Sequence, residues 1–297
     1  MKTALIGSLL ICAASSAASQ AITGALHASH DSDAFNERKQ TLGYAGADGW
    51  GVKAGAVQYA KPGWSTAGTS LVGTYHEENA QRQVNATLGL ARIAQHGLWV
   101  GSVDYLQPLQ PGTAWGVSVE RDVVNSQLGL QRGLTYTAFA LVADHAFNNR
   151  FGVGLSGGVT AFSNDNQRLQ LRTRWSYSLD EAYGFNAYLK TRSYRHSQPN
   201  QPEYFSPNHL HEAALGLSVR LAVADNVVLN ASLDAGQQWV DAGSQAIWSA
   251  LVGLSSGRGS STQWKLGLET SNSASQLSSQ SASYRYTSAV AQLTVPW

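Results

Sequence analysis

Several residue groups in this chain have the types and spacing for chemistry. Gly154-Leu155-Ser156-Gly157-Gly158 matches Gly-x-Ser-x-Gly. That motif makes a nucleophile where a sharp strand-to-helix turn exposes the serine oxygen beside a histidine and an acid. Here Val153, Leu155 and Val159 fall on one face of an extended segment. The serine and glycines on the other face predict a smooth, narrow inner wall. His145, one strand away, is the nearest candidate base for the alternative, an outer-membrane lipid hydrolase. His209 and His211 sit two apart, so they share one face of a strand, with Glu212 beside them. Without an evident third ligand they read as rim residues rather than a metal pair. Asp31 and Asp33 read as a solvated polar loop. Neither a catalytic residue, a metal nor a cofactor is expected.

The stronger signal is ordered charge. Leu169, Leu171, Trp175 and Leu179 alternate with Arg168, Gln170, Arg172, Arg174, Ser176 and Ser178. A helix would space its apolar residues by three and four, so the segment predicts a strand. The same parity places Lys190, Arg192 and Arg220 with those arginines, and the six predict one basic arc on three successive strands. Glu120, Asp122, Asp234 and Glu269 are expected elsewhere around the ring, and Tyr188, Tyr194, Tyr284 and Tyr286 also face inward.

Period 2 continues through the chain, and turn residues divide it into sixteen predicted strands. They lie near 21–30, 36–46, 50–61, 65–77, 82–94, 97–107, 112–123, 132–147, 151–162, 166–178, 182–196, 209–222, 226–240, 243–256, 261–273 and 283–297. Charged residues make up 13% of the chain and hydrophobic residues 43%, with 29 Gly, 9 Trp, 12 Tyr and 7 Phe. That charge share is about half that of a typical soluble domain. No apolar run beyond the amino terminus reaches the ~18 residues a spanning helix needs. Low charge with alternating strands fits a transmembrane antiparallel β-barrel, whose strands face lipid on one side and lumen on the other. The runs near 46–49, 147–150, 179–182 and 224–226 are short, and those near 122–132, 196–209 and 272–283 are long. Long and short connections should sit at opposite ends if both termini are periplasmic.

Residues 1–20 have the layout of a secretory signal peptide: Lys2, an apolar stretch from Ala4 to Ala14, then small residues. The single cysteine, Cys12, lies within it, so no thiol chemistry is expected of residues 21–297. The carboxyl end, Ser288 to Trp297, alternates and closes on an aromatic, as expected of a terminal barrel strand handed to the outer-membrane assembly machinery. The formal charge of +1 gives no reason to expect nucleic acid.

Val119-Glu120-Arg121-Asp122-Val123-Val124-Asn125-Ser126, Phe162-Ser163-Asn164-Asp165-Asn166 and Tyr204-Phe205-Ser206-Pro207 occur in this order before the terminal aromatic. Over roughly residues 110–297 this resembles the carboxy-terminal barrels of exopolysaccharide export porins, those for poly-β-1,6-N-acetylglucosamine and, more distantly, cellulose. The resemblance implies a sixteen-stranded outer-membrane conduit for a nascent polysaccharide, driven by an inner-membrane synthase. Those porins also carry a periplasmic helical-repeat domain; this chain resembles their barrel-only relatives. A nonspecific diffusion porin or a structural barrel is the alternative reading.

Overall fold

The computed structural model describes residues 20–257, 260–273 and 284–297. The proposed signal segment lies almost wholly outside them. Sixteen strands form one closed antiparallel barrel in which each strand pairs with its sequence neighbours. They are β1 (Ala21–Asp31), β2 (Asn36–Ala45), β3 (Trp50–Lys61), β4 (Trp64–Glu78), β5 (Gln83–Ile93), β6 (His96–Gln110), β7 (Thr113–Val123) and β8 (Thr135–Ala146). β9 (Phe151–Phe162), β10 (Gln167–Asp180), β11 (Phe185–His196), β12 (His209–Ala224), β13 (Val227–Val240), β14 (Gly243–Ser256), β15 (Gln263–Ser271) and β16 (Tyr286–Pro296) complete the ring. Closure satisfies the edge groups that an open sheet would leave to water or to another chain. β1 and β16 make that closure, in register from Ala21↔Pro296 to Asp31↔Tyr286. Beyond it the Trp297 amide donates to the Gln20 carbonyl at 3.0 Å, and the Trp297 ring lies 6.0 Å from that of Tyr44.

Alternation decides what faces out. Leu26, Leu42, Leu71, Leu88, Trp99, Leu141, Leu171, Leu215, Leu233 and Leu268 are all large, apolar and exposed on the outer wall. Such a belt would aggregate in water and is stable against lipid tails. The inner wall carries the polar set, and sixteen strands leave an interior wide enough for water.

An even number of strands puts both termini at one end. The long connections 124–134 and 197–208 lie at the far end. Sequence reasoning expected a plain loop after β7; it holds a short helix, α1 (Gln127–Arg132). Ser126 caps its first turn, accepting from the Gly129 amide at 3.0 Å. Such a cap stabilises a helix by about 1 kcal/mol. Gly133 ends it at φ +64°, a left-handed conformation that glycine enters at little cost. Six residues cannot hold a helix alone in water. This one is held because it folds into the barrel mouth.

Candidate functional site in the lumen

The site is a plugged mouth above a basic wall. Leu130 of α1 is 2% exposed and packs with Phe35, Tyr59, Ala91, Ile93 and Val123, which line the β1–β7 half of the mouth. The Asn125 amide donates to Glu37 on β2 at 2.6 Å, so the segment reaches well across the ring. The other half is closed by the 197–208 connection. There Tyr204, 2% exposed, stacks on Phe162 with centroids 4.2 Å apart and 13° between planes. The Asn166 side chain donates to the Tyr204 hydroxyl at 2.9 Å. Burial pushes the Tyr204 phenol upward from its ordinary pKa. The two plugs are joined: Arg132 pairs with the Glu203 carboxylate, and the Ser126 hydroxyl donates to the Glu203 carbonyl.

The remaining residues of that sequence element also point inward. The Ser206 hydroxyl accepts from the Gln201 amide at 2.7 Å. The Pro207 carbonyl lies 2.9 Å from His196 Nδ1, and the Phe205 carbonyl is 3.5 Å from Arg168. Arg168 is 1% exposed, between the rings of Phe162 at 5.4 Å and Tyr194 at 4.9 Å, and its Nε donates to His196 at 2.9 Å.

Below this lid, register stacks the inner wall in rows, each ~6.8 Å from the next along the strands. Gln170 faces Tyr194, then Arg172 faces Arg192, then Arg174 faces Lys190, then Ser176 faces Tyr188. Arg192 is taken by Glu212, which accepts from its Nε and from an Nη, both at 2.6 Å. Glu212 also accepts from Ser273 at 2.8 Å. Lys190 pairs with Asp234 at 2.7 Å. Tyr188 lies across Gly216, whose Cβ, if present, would meet its ring at 2.4 Å, and donates to Asp234 at 3.0 Å. The Arg174 guanidinium sits 3.8 Å above the Tyr188 ring centroid, a cation–π contact.

Two expectations need correction. Arg220 is not part of the arc: it pairs with Asn230 beside the 181–184 connection, and its amide bonds the Gly184 carbonyl at 3.2 Å. That is roughly 27 Å along β12 from the Arg192–Glu212 row. Parity gives the face of a residue and not its height. Asp234 is not elsewhere around the ring but inside the arc, against Lys190. Glu212 faces the lumen, as its parity requires, and the histidines do not. His209 and His211 are exposed on the outer face, with His211 2.5 Å from the Ser193 hydroxyl. Among the described residues no cluster could hold a metal ion.

Glu120 accepts from Tyr136 at 2.8 Å, and Asp122 from the Val123 amide at 2.8 Å, both on β7. Glu269 faces the lumen from β15. Ser156 faces inward on β9, whereas His145 faces outward and bonds Thr113 at 2.9 Å. The two stand on opposite sides of the barrel wall.

No family model matches the chain, and no curated protein matches it. Solved structures do. The barrel superposes on one described as a bacterial polysaccharide outer membrane secretin with a TM-score of 0.72 and 13% identity, covering 95% of this chain and 99% of that one. CdiB from Acinetobacter baumannii gives 0.55 at 9% identity; there 93% of this chain covers 60% of the other. The fold is that of a bacterial outer-membrane barrel. At such identities the likeness speaks for the fold alone. With the exposed apolar belt, it places the chain in the bacterial outer membrane.

Proposed function

We propose that this barrel is an outer-membrane channel that passes a polysaccharide or oligosaccharide, and not an enzyme. The observation that carries the reading is the charged inner wall beneath the mouth, where Lys190 is 38% exposed beside Asp234 and half-buried Arg174 lies over the Tyr188 ring at 3.8 Å. Sugar rings present hydroxyls to charged hydrogen-bonding groups and their C–H edges to the flat guanidinium planes held on aromatic rings. A wall of both kinds lets a chain exchange one set of contacts for the next. In this reading residues 1–20 are removed as a signal peptide and both termini face the periplasm. The Trp297 strand is the segment the assembly machinery handles, and the export-porin resemblance supplies the direction of transport.

The packed mouth favours a second reading, a structural barrel that does not conduct. Leu130 and Tyr204 bury themselves where a diffusion porin would be open. Conductance of the purified chain in planar bilayers separates the two: a channel gives discrete openings that sugar fragments interrupt, and a structural barrel gives none. Protease added to intact cells tests the orientation. It should reach the 197–208 connection and leave the termini intact.

A further inference from the structure

The inner wall holds polar atoms that the paired arc does not use. Among the described residues, Gln170 Oε1, Arg172 Nε and the Tyr194 hydroxyl are buried without a hydrogen-bond partner. Gln170 and Tyr194 are register partners, and Arg172 is the next inward residue along β10. These orphans therefore form one cluster directly below the mouth. An unsatisfied buried polar atom costs about 1–3 kcal/mol, so three together in one place demand a purpose.

Arg172, like Arg174, differs from its cross-strand partner in charge balance. Arg192 has Glu212 and Lys190 has Asp234, but no carboxylate among the described residues pairs with Arg172. Its register partner on the other side is Ser156, flanked along β9 by Gly154 and Gly158. That strand offers almost no side chain at this level, so a shallow trough runs beside the arginine. Across Ser156 the same row ends on Val142 of β8, and Asp144, with one carboxylate oxygen buried and unpartnered, belongs to the row of Arg174. The Arg172 side thus offers a cation, an O–H donor and an amide oxygen as acceptor.

We propose that this trough binds an acidic sugar residue of the passing chain. The carboxylate takes the Arg172 guanidinium, ring hydroxyls take Gln170 and Tyr194, and the glycine floor admits the ring edge. The proposal rests on the reading of the lumen as a sugar path and names the substrate class: a polymer carrying carboxylates, not a neutral or cationic one. A fixed, partly desolvated arginine makes hydrogen bonds to a carboxylate about twice as strong as those between neutral groups.

Calorimetric titration of the full chain in detergent tests it, because binding is read whether or not the barrel conducts. The probe is a galacturonate hexamer, with its fully methyl-esterified form as the neutral twin and inorganic sulfate as the bare anion. The acidic hexamer should bind, the ester on the order of tenfold more weakly, and Arg172→Gln should remove that difference. Arg172→Lys, which keeps the charge, should retain part of it. Heat-modifiable gel migration of each variant confirms a folded barrel. Equal binding of ester and acid, or an acid preference untouched by Arg172→Gln in the folded variant, would overturn the proposal. So would sulfate displacing the hexamer at concentrations like the hexamer's own, since the site would then hold any anion. Failure to conduct in bilayers, with this binding intact, would instead count against the channel.

Discussion

Phe162, the last residue of β9, and Tyr204, in the connection between β11 and β12, stack 4.2 Å apart inside the barrel mouth. A strand end and a loop residue 42 positions later are thereby locked, and Arg168 is sealed beneath them. Buried aromatic pairs contribute about 0.5–1.5 kcal/mol beyond their area. Tyr204→Ala should therefore free the 197–208 connection without unfolding the barrel. Limited proteolysis should cut that connection faster in the variant, while heat-modifiable migration stays unchanged. Equal cutting rates would mean that the stack does not hold the lid.

The helical half of the plug is held by Leu130. Leu130→Asp puts a charge among Phe35, Tyr59 and Ile93, an environment that would have to leave it unpaired. α1 should be expelled from the mouth, and single-channel conductance should rise severalfold over the unaltered chain. An unchanged conductance in a folded variant would place the narrowest point elsewhere.

The strands were legible because period 2 and turn residues are local signals. Predicted and observed strands at 50–61, 151–162 and 243–256 coincide, and the count of sixteen holds. The lumen faces of Arg172, Arg174, Lys190, Arg192, Tyr188 and Tyr194 followed from the same parity. What the sequence hid was height and partnership. Arg192 meets Glu212, and Lys190 meets Asp234, only through the register of three strands, which no single segment encodes. α1 was hidden for another reason. Six residues carry too little periodicity, although Ser126 and Gly133 bracket them as cap residues.

Glu212 sits 9% exposed against an Arg192 side chain 16% exposed, and it holds Gln238 and Ser273 as well. Breaking a buried pair strands the other charge. Glu212→Gln should lower the unfolding free energy in detergent–urea titrations by about 3 kcal/mol. It should also move reversal potentials toward anion preference. Retained stability would mean that lumen water already screens the pair.

Charge reversal at Arg172 and Arg174 should work oppositely. Arg172→Glu with Arg174→Glu should shift the reversal potential under a salt gradient toward cations, since each replaces an inward positive charge by a negative one. Identical selectivity before and after would mean that these arginines do not face the conduction path.

The outer belt gives a prediction independent of the lumen. Leu215, 70% exposed midway along β12, faces lipid. Leu215→Arg should cost about 2–4 kcal/mol in folding into lipid vesicles, the penalty for arginine near the bilayer midplane. A neutral result would say that this face meets water or protein instead.

The account turns on whether a sugar chain travels this lumen. Single-channel recording of the full chain, with Leu130→Asp as the opened form, reads that directly when a galacturonate hexamer is added to one chamber. The account predicts brief current interruptions that grow more frequent with hexamer concentration and shorter with Arg172→Gln. A steady open current that no concentration of hexamer interrupts, or no current from either form, would contradict it.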